Sequence, residues 1–162
     1  MLLLGYDIGT SSIKATLMDG ESQKVLASAI SPKKEMEIIA SRPGWAEQHP
    51  QSWWNNVVAA TAELMESSGA DANAIEAIGI TYQMHGLVAV DENNQPLRPS
   101  IIWCDSRAVE VGNKAAEQIG RQKCLKNLLN YPGNFTAMKL KWVMENEPVS
   151  YTHLTLPTTP YV

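Results

Sequence analysis

The first thirty residues alternate apolar runs with short polar breaks in a β-type pattern. Residues 1–6 form an apolar run suited to a buried strand, and residues 13–18 resume a mixed β-type pattern. A third strand is expected over residues 24–30, completing an antiparallel meander. Residues 31–47 are polar and turn-rich, with Pro43 and Gly44, and read as an excursion loop. Pro50 suits the first turn of a helix, where its missing N–H leaves no partner unsatisfied. Trp53, Val57, Ala60, Thr61, Leu64 and Met65 then share one helical face, and Gly69 is a credible stop. Residues 74–82 predict a strand buried on both faces. Another strand is expected over 87–90, and turn-forming residues 91–99 precede a third over 101–103. Helical pattern returns over 106–119, near 123–130, and over 136–144, with no internal repeat. This order suits an α/β domain with a mixed sheet flanked by helices.

Composition narrows the class. At 162 residues and 44% hydrophobic content the chain can bury one ordinary domain core. The net charge is −4 and no basic run exists, so neither nucleic acid nor an anionic membrane is an expected partner. No stretch approaches the ~20 apolar residues of a membrane span, and the opening MLLLG reads as a strand, lacking the flanks of a signal peptide. Cys104 and Cys124 have neither CxxC spacing nor clustered histidines, which points to reduced thiols in a cytoplasmic protein.

The C-terminal segment breaks the pattern. From residue 148 onward there is no Lys, Arg, Asp or Glu, and threonine and proline dominate. The string VSYTHL at 149–154 resembles read-through translation of a sequencing adaptor. Residues 149–162 are therefore expected to be a non-native tail on a truncated domain of residues 1–148, a natural Thr/Pro-rich linker being the alternative.

Two constellations carry chemistry. In GYDIGTSSIK (residues 5–14) a strand ends in Asp7, turns through Gly9, Thr10, Ser11 and Ser12, and re-enters a strand at Ile13 and Lys14. Gly9 permits a tight turn, and the hydroxyls beside exposed backbone N–H groups can cradle phosphate oxygens. Asp7 could hold a divalent cation directly or through its waters. An ordinary hairpin with a polar turn remains the alternative. The GxxxxGK[ST] and GxGxxG spacings are both absent. In the second constellation, GITYQMHG (79–86), a strand ends in Gln83, Met84 and His85, where ligands of open α/β sheets commonly sit. Gln83 and His85 can bond sugar hydroxyls and Met84 can form an apolar wall, although a lone histidine is more often structural. About twenty residues on, IIWCDSRA (101–108) repeats the arrangement. Trp103 offers a flat face to a carbohydrate, and Asp105 and Arg107 suit hydroxyls. Trp103 could equally be core, and Asp105 an N-cap of the next helix.

Together the pieces YDIGTSSIKATLMD (6–19), PGWAEQHPQSWW (43–54), GITYQMHGLVAVDENNQPLRPSIIWCDSRA (79–108) and PGNFTAMKLKWVMENEP (132–148) resemble the N-terminal part of the FGGY carbohydrate kinases. The resemblance covers residues 1–148 and is strongest toward the xylulokinase branch, on Met84-His85-Gly86; glycerol kinases carry Arg-Glu after the corresponding Gln. It implies an actin/hexokinase/Hsp70-like ATPase (ribonuclease H-like) fold, with an incomplete first domain. The activity it implies is ATP- and Mg2+-dependent phosphorylation of D-xylulose to D-xylulose 5-phosphate. By resemblance, Gly9, Thr10, Ser11, Ser12 and Lys14 lie along the ATP phosphates and Asp7 supports magnesium and the transferred phosphoryl. Gln83, Met84 and His85 contact the ketopentose, while Trp103 and Asp105 edge its pocket. The family's catalytic aspartate matches no carboxylate here, so the fragment alone is expected to be inactive, to fold poorly and to aggregate through exposed strand edges. A homodimer of the intact protein is compatible with the family. Alternatives are a ribulokinase, gluconokinase or glycerol kinase, or a non-catalytic sugar- or nucleotide-binding module of the same fold.

Overall fold

A computed structural model of the protein describes residues 1–154. Along the chain come β1 (Leu2–Ile8), β2 (Ile13–Asp19), β3 (Lys24–Ser31), β4 (Glu47–Gln48), α1 (Pro50–Ser68), β5 (Ile75–Tyr82), β6 (Ser100–Ile101), α2 (Val109–Ile119), α3 (Arg121–Leu128), α4 (Thr136–Asn146) and α5 (Pro148–Thr152). They form two compact units: Met1–Glu37 with His49–Met84, and Ile38–Gln48 with the chain from His85 onward. Among the described residues no helix is long and apolar enough to cross a membrane.

The first unit is a four-stranded sheet in the order β3-β2-β1-β5, antiparallel through the meander and parallel between β1 and β5. Alternation along β2 buries Ile13, Ala15 and Leu17. Ala15 and Leu17 join Leu4, Ala29, Ala60 and Leu64 in the core. The last two lie four residues apart on α1, one turn over the other, and burying Leu64 is worth roughly 1.5–3 kcal/mol. Helix α1 starts on Pro50 and stops where Gly69 turns left-handed at φ 61° and donates to the Met65 carbonyl. Tyr6 is tied to the same helix by a 2.6 Å bond between its hydroxyl and that of Thr61.

One expectation is overturned here. Residues 74–82 do form a strand, but every residue of β5 except Ile75 is exposed, Ile80 by 60% and Tyr82 by 72%. The reason is position: β5 is the edge strand beside β1, while α1 lies over β2 and β3.

The second unit is built around β4 and β6, paired antiparallel with Glu47 opposite Ile101 and Gln48 opposite Ser100. The strand expected at 87–90 reduces to isolated bridges, Leu87 to Ile101 and Val90 to Pro96. Of the strand expected at 101–103 only Ile101 remains, because the chain turns at Trp103. Helices α2 and α3 fall within about three residues of their expected bounds, and α4 runs to Asn146. Leu87, Ile101 and Val143 form a small core, flanked by Leu140 and Trp142. The segment after residue 147 begins with the short helix α5, and residues 155–162 of the expected adaptor-derived tail lie outside the described residues.

Gly112 lets the loop before α4 sit directly on α2. A Cβ there would come within 2.3 Å of the Gly133 Cα, a backbone atom that has no rotamer with which to retreat. Gly112→Ala is therefore expected to destabilise the protein. Overpacking costs about 1–3 kcal/mol, against the ~1 kcal/mol that alanine gains over glycine within a helix. Urea unfolding measures the balance, and a variant more stable than the parent would contradict this close approach.

Candidate functional site

In the first unit, β1 and β2 pair without a break from Leu2–Asp19 to Ile8–Ile13, so Gly9 to Ser12 form the whole tip of the hairpin. The Gly9 N–H donates to the Ser12 carbonyl at 3.2 Å, and a Cβ on Gly9 would lie 3.0 Å from that oxygen. A side chain there would press on the turn, so glycine suits its closeness. The tip is steadied by the Met36 N–H, which donates to the Ser11 carbonyl at 2.8 Å. Ser11 is exposed, while Gly9, Thr10 and Ser12 are half-buried.

Asp7 leaves β1 on the face opposite Tyr6, since successive strand residues alternate. Its carboxylate is 51% exposed, and the Lys14 ammonium directly across the ladder stands 3.7 Å away. That spacing is an ion pair without a hydrogen bond. The carboxylate therefore keeps lone pairs for a hydrated cation, and Lys14 keeps N–H donors for a phosphate. Among the described residues no three His, Cys, Asp or Glu side chains cluster as a ready-made metal cage. Asp7 fits a magnesium ion that brings its own waters and phosphate ligands, the usual state of that ion beside nucleotides.

Because β5 runs parallel to β1, both strands end at the same edge of the sheet. Asp7 stands opposite Thr81 and Ile8 opposite Tyr82, and the Gln83 N–H extends the ladder to the Ile8 carbonyl at 3.2 Å. Half-buried Gln83 and exposed Met84 therefore emerge beside the Gly9–Ser12 turn. Sequence alone could not join these two motifs, which lie some seventy residues apart.

The second unit holds His85, Trp103 and Asp105. The chain passes through His85 in the left-handed region, φ 61°, which a non-glycine residue adopts at a cost of about 1 kcal/mol. Such strain concentrates at functional positions. Its imidazole stacks on the Phe135 ring, centroids 4.6 Å apart and planes 18° from parallel. Leu87 and Ile101 exchange backbone hydrogen bonds of 2.9 and 3.1 Å, which brings the segment after His85 alongside the segment before Trp103. Trp103 is half-exposed, and its carbonyl accepts from the Asn134 side chain at 2.7 Å.

Asp105 does not cap the next helix. Helix α2 begins four residues later, after Ala108, which contributes no side-chain cap. The Asp105 carboxylate is fully buried and accepts from the Ala46 N–H at 2.6 Å, the Arg107 N–H at 2.9 Å and the Arg107 guanidinium at 2.7 Å. Arg107 also pairs with Glu47 at 2.7 Å, and Glu47 accepts from Arg98, which is ion-paired with Glu147 at 2.9 Å. The Arg107 guanidinium lies 3.7 Å over the Trp45 ring, whose neighbour Trp142 meets it edge-on at 5.3 Å. Both Asp105 oxygens are thus engaged by protein donors, and what they hold is the turn that presents Trp103.

Lys139 has no place in the sequence reading. It is fully buried, and its ammonium donates to the His85 carbonyl at 2.6 Å and the Ile102 carbonyl at 3.0 Å. Burial pulls its pKa below the ordinary lysine value, with the nearby Asp105 charge acting in the opposite direction. Arg98, Glu47 and Phe135 were also missed. A lysine amid the apolar periodicity of α4 was the one signal available in sequence.

The family model for the FGGY family of carbohydrate kinases, N-terminal domain, matches residues 2–160. Over 151 residues the chain is 34% identical to a xylulose kinase of Bacillus subtilis (strain 168), covering 90% of this chain and 28% of that protein. It is 32% identical over 148 residues to a glycerol kinase of Burkholderia vietnamiensis, covering 90% of this chain and 29% of that protein. Among solved structures, xylulose kinase from Rhodospirillum rubrum superposes with a TM-score of 0.84 at 28% identity, over 95% of this chain and 31% of that one. The chain thus spans under a third of the length of these relatives. The architecture shared with them is the actin/hexokinase-like ATPase fold that the family resemblance implied.

Proposed function

The chain belongs to the FGGY family of carbohydrate kinases, and on that footing we propose that the intact protein transfers the γ-phosphoryl of ATP to the terminal hydroxyl, O5, of D-xylulose. The observation that carries this reading is the parallel pairing of β1 with β5, which sets Gln83 and Met84 beside the Asp7–Ser12 turn at one sheet edge. Ligands of parallel α/β sheets bind outside the carboxyl ends of the strands. In this reading the Gly9–Ser12 backbone and hydroxyls and the Lys14 ammonium hold the nucleotide phosphates. Asp7 orients the magnesium ion, whose charge, when bound, offsets that developing on the transferred group. Gln83 and His85 bond sugar hydroxyls, and Met84 and Trp103 supply apolar walls. Asp105 acts behind Trp103, holding its turn. The proton acceptor for the sugar hydroxyl is assigned to no residue of this chain. The setting is cytoplasmic, where ATP is supplied.

Phosphoryl transfer in such a site rests on positioning and charge neutralisation. A coupled ADP-release assay of the intact protein on D-xylulose, glycerol and L-ribulose tests the reading. Turnover selective for D-xylulose supports it. Selectivity for glycerol would favour the second reading, motivated by the 32% identity to glycerol kinases. No turnover from a folded protein would favour a binding module.

His85→Ala is expected to raise the KM for sugar about five- to ten-fold with little change in the KM for ATP, the loss of roughly one hydrogen bond. An unchanged sugar KM would remove His85 from the pocket.

A further inference from the structure

The segment NFTAMK (134–139) has no part in the assignments above, yet four of its side chains reach the segments that carry His85 and Trp103. Asn134 donates to the Trp103 carbonyl at 2.7 Å, and Thr136 to the Gly86 carbonyl at 3.1 Å. Phe135 stacks on the His85 imidazole. Lys139 bridges the His85 and Ile102 carbonyls. A buried ammonium is a poor choice for simple packing, because an apolar side chain of similar length fills the space without the desolvation penalty. What a methionine cannot do is donate to two carbonyls at once. One of those carbonyls belongs to a residue held at φ 61°, a conformation that persists only where its surroundings over-determine it.

We propose that Lys139 and Phe135 are positioning residues for sugar recognition: Lys139 locks the backbone of His85 to that of Ile102, and Phe135 sets the plane of the His85 ring. The first turn of α4 then acts as a clamp that presents His85 and Trp103 at a fixed spacing. Neither clamp residue need touch the sugar or the nucleotide. This inference rests on the sugar-kinase reading for its kinetic consequence, but not for its structural one.

The test uses Lys139→Met and Phe135→Leu in the intact protein, with two readouts. Lys139→Met is expected to raise the sugar KM at least about ten-fold, with the ATP KM within about two-fold of the parent. Phe135→Leu is expected to raise the sugar KM about three- to ten-fold. General destabilisation would move both KM values together or neither. The second readout is the NMR signal of the His85 ring protons, assigned by its loss in His85→Gln. Ring current from Phe135 should place them upfield in the parent, and both variants should shift them back. A folded variant whose sugar KM stays within two-fold, or whose two KM values rise equally, overturns the proposal, as does a His85 signal unmoved in Lys139→Met. If the parent turns over no sugar, the functional reading falls while the His85 signal still decides the clamp. Should Lys139→Met fail to fold, half-buried Phe135 carries the test.

Discussion

Asp7→Ala in the intact protein is expected to lower kcat about a hundred- to a thousand-fold while leaving the fold in place. The kinetic part follows from the position of the carboxylate at the mouth of the Gly9–Ser12 turn. A preorganised charge aimed at the reacting group is typically worth 10²–10³ in rate, and phosphoryl transfer depends on such placement. Stability should scarcely change. The carboxylate is half-exposed, and its cationic neighbour among the described residues, Lys14, stands at 3.7 Å without a hydrogen bond. Exposed pairs of that kind contribute roughly 0–1 kcal/mol. The pair of measurements is kcat in the coupled assay and the midpoint of thermal unfolding. A kcat within ten-fold of the parent would remove Asp7 from the metal and phosphoryl site. A large drop in the unfolding midpoint would make it a structural residue instead.

Arg107→Met should show the opposite signature. Its guanidinium is 1% exposed, hydrogen-bonds the buried Asp105 carboxylate, is ion-paired with Glu47, and lies over the Trp45 ring. Removing it leaves Asp105 as a desolvated carboxylate whose remaining donors among the described residues are the backbone N–H groups of Ala46 and of residue 107. Breaking one side of a buried pair costs about 3–5 kcal/mol, because the stranded charge keeps its desolvation penalty and loses its compensation. Methionine retains much of the side-chain volume over Trp45, so the loss reports the charge rather than a cavity. Tryptophan fluorescence during urea unfolding would follow it, with Trp45 and Trp142 in direct contact with the site. A loss under about 1 kcal/mol would mean that water or a protonated carboxylate already relieves the network. Arg107→Lys should fall between, since an ammonium cannot serve two carboxylates and stack on indole in one geometry. If the proposed sugar-kinase reading holds, the same change in the intact protein should loosen the turn that carries Trp103 and raise the sugar KM.

Several elements were legible in sequence, for local reasons. Pro50 and Gly69 bound α1 because each acts on its own backbone: one lacks an N–H, the other tolerates φ 61°. The hairpin of β1 and β2 was legible because alternation at Ile13, Ala15 and Leu17 reports which face of a strand is buried. The tight turn at Gly9–Ser12 was legible because Gly9 and the hydroxyls after it are contiguous. The candidate sugar residues at 83–85 and at 103 could be proposed from strand ends for the same reason.

Tertiary structure decided the rest. An apolar run such as 74–82 is the same string whether the strand lies at the centre of a sheet or, as here, at its edge, so periodicity could not foresee the exposure of β5. Asp105 was ambiguous between a helix cap and a sugar contact. Its donors include Ala46, fifty-nine residues away, and no local pattern records a partner at that distance. Lys139 lay in plain view as a charged residue in a helix, but its role depends on two carbonyls brought to it from strand ends 37 and 54 residues upstream. Local backbone preference and the spacing of apolar residues were thus settled by the sequence, because they act between near neighbours. The pairing of β1 with β5, the burial of Asp105 and the bonds from Lys139 to the His85 and Ile102 carbonyls were settled only by folding. Each is a contact between distant segments, whose energy exists only once water has been excluded from between them.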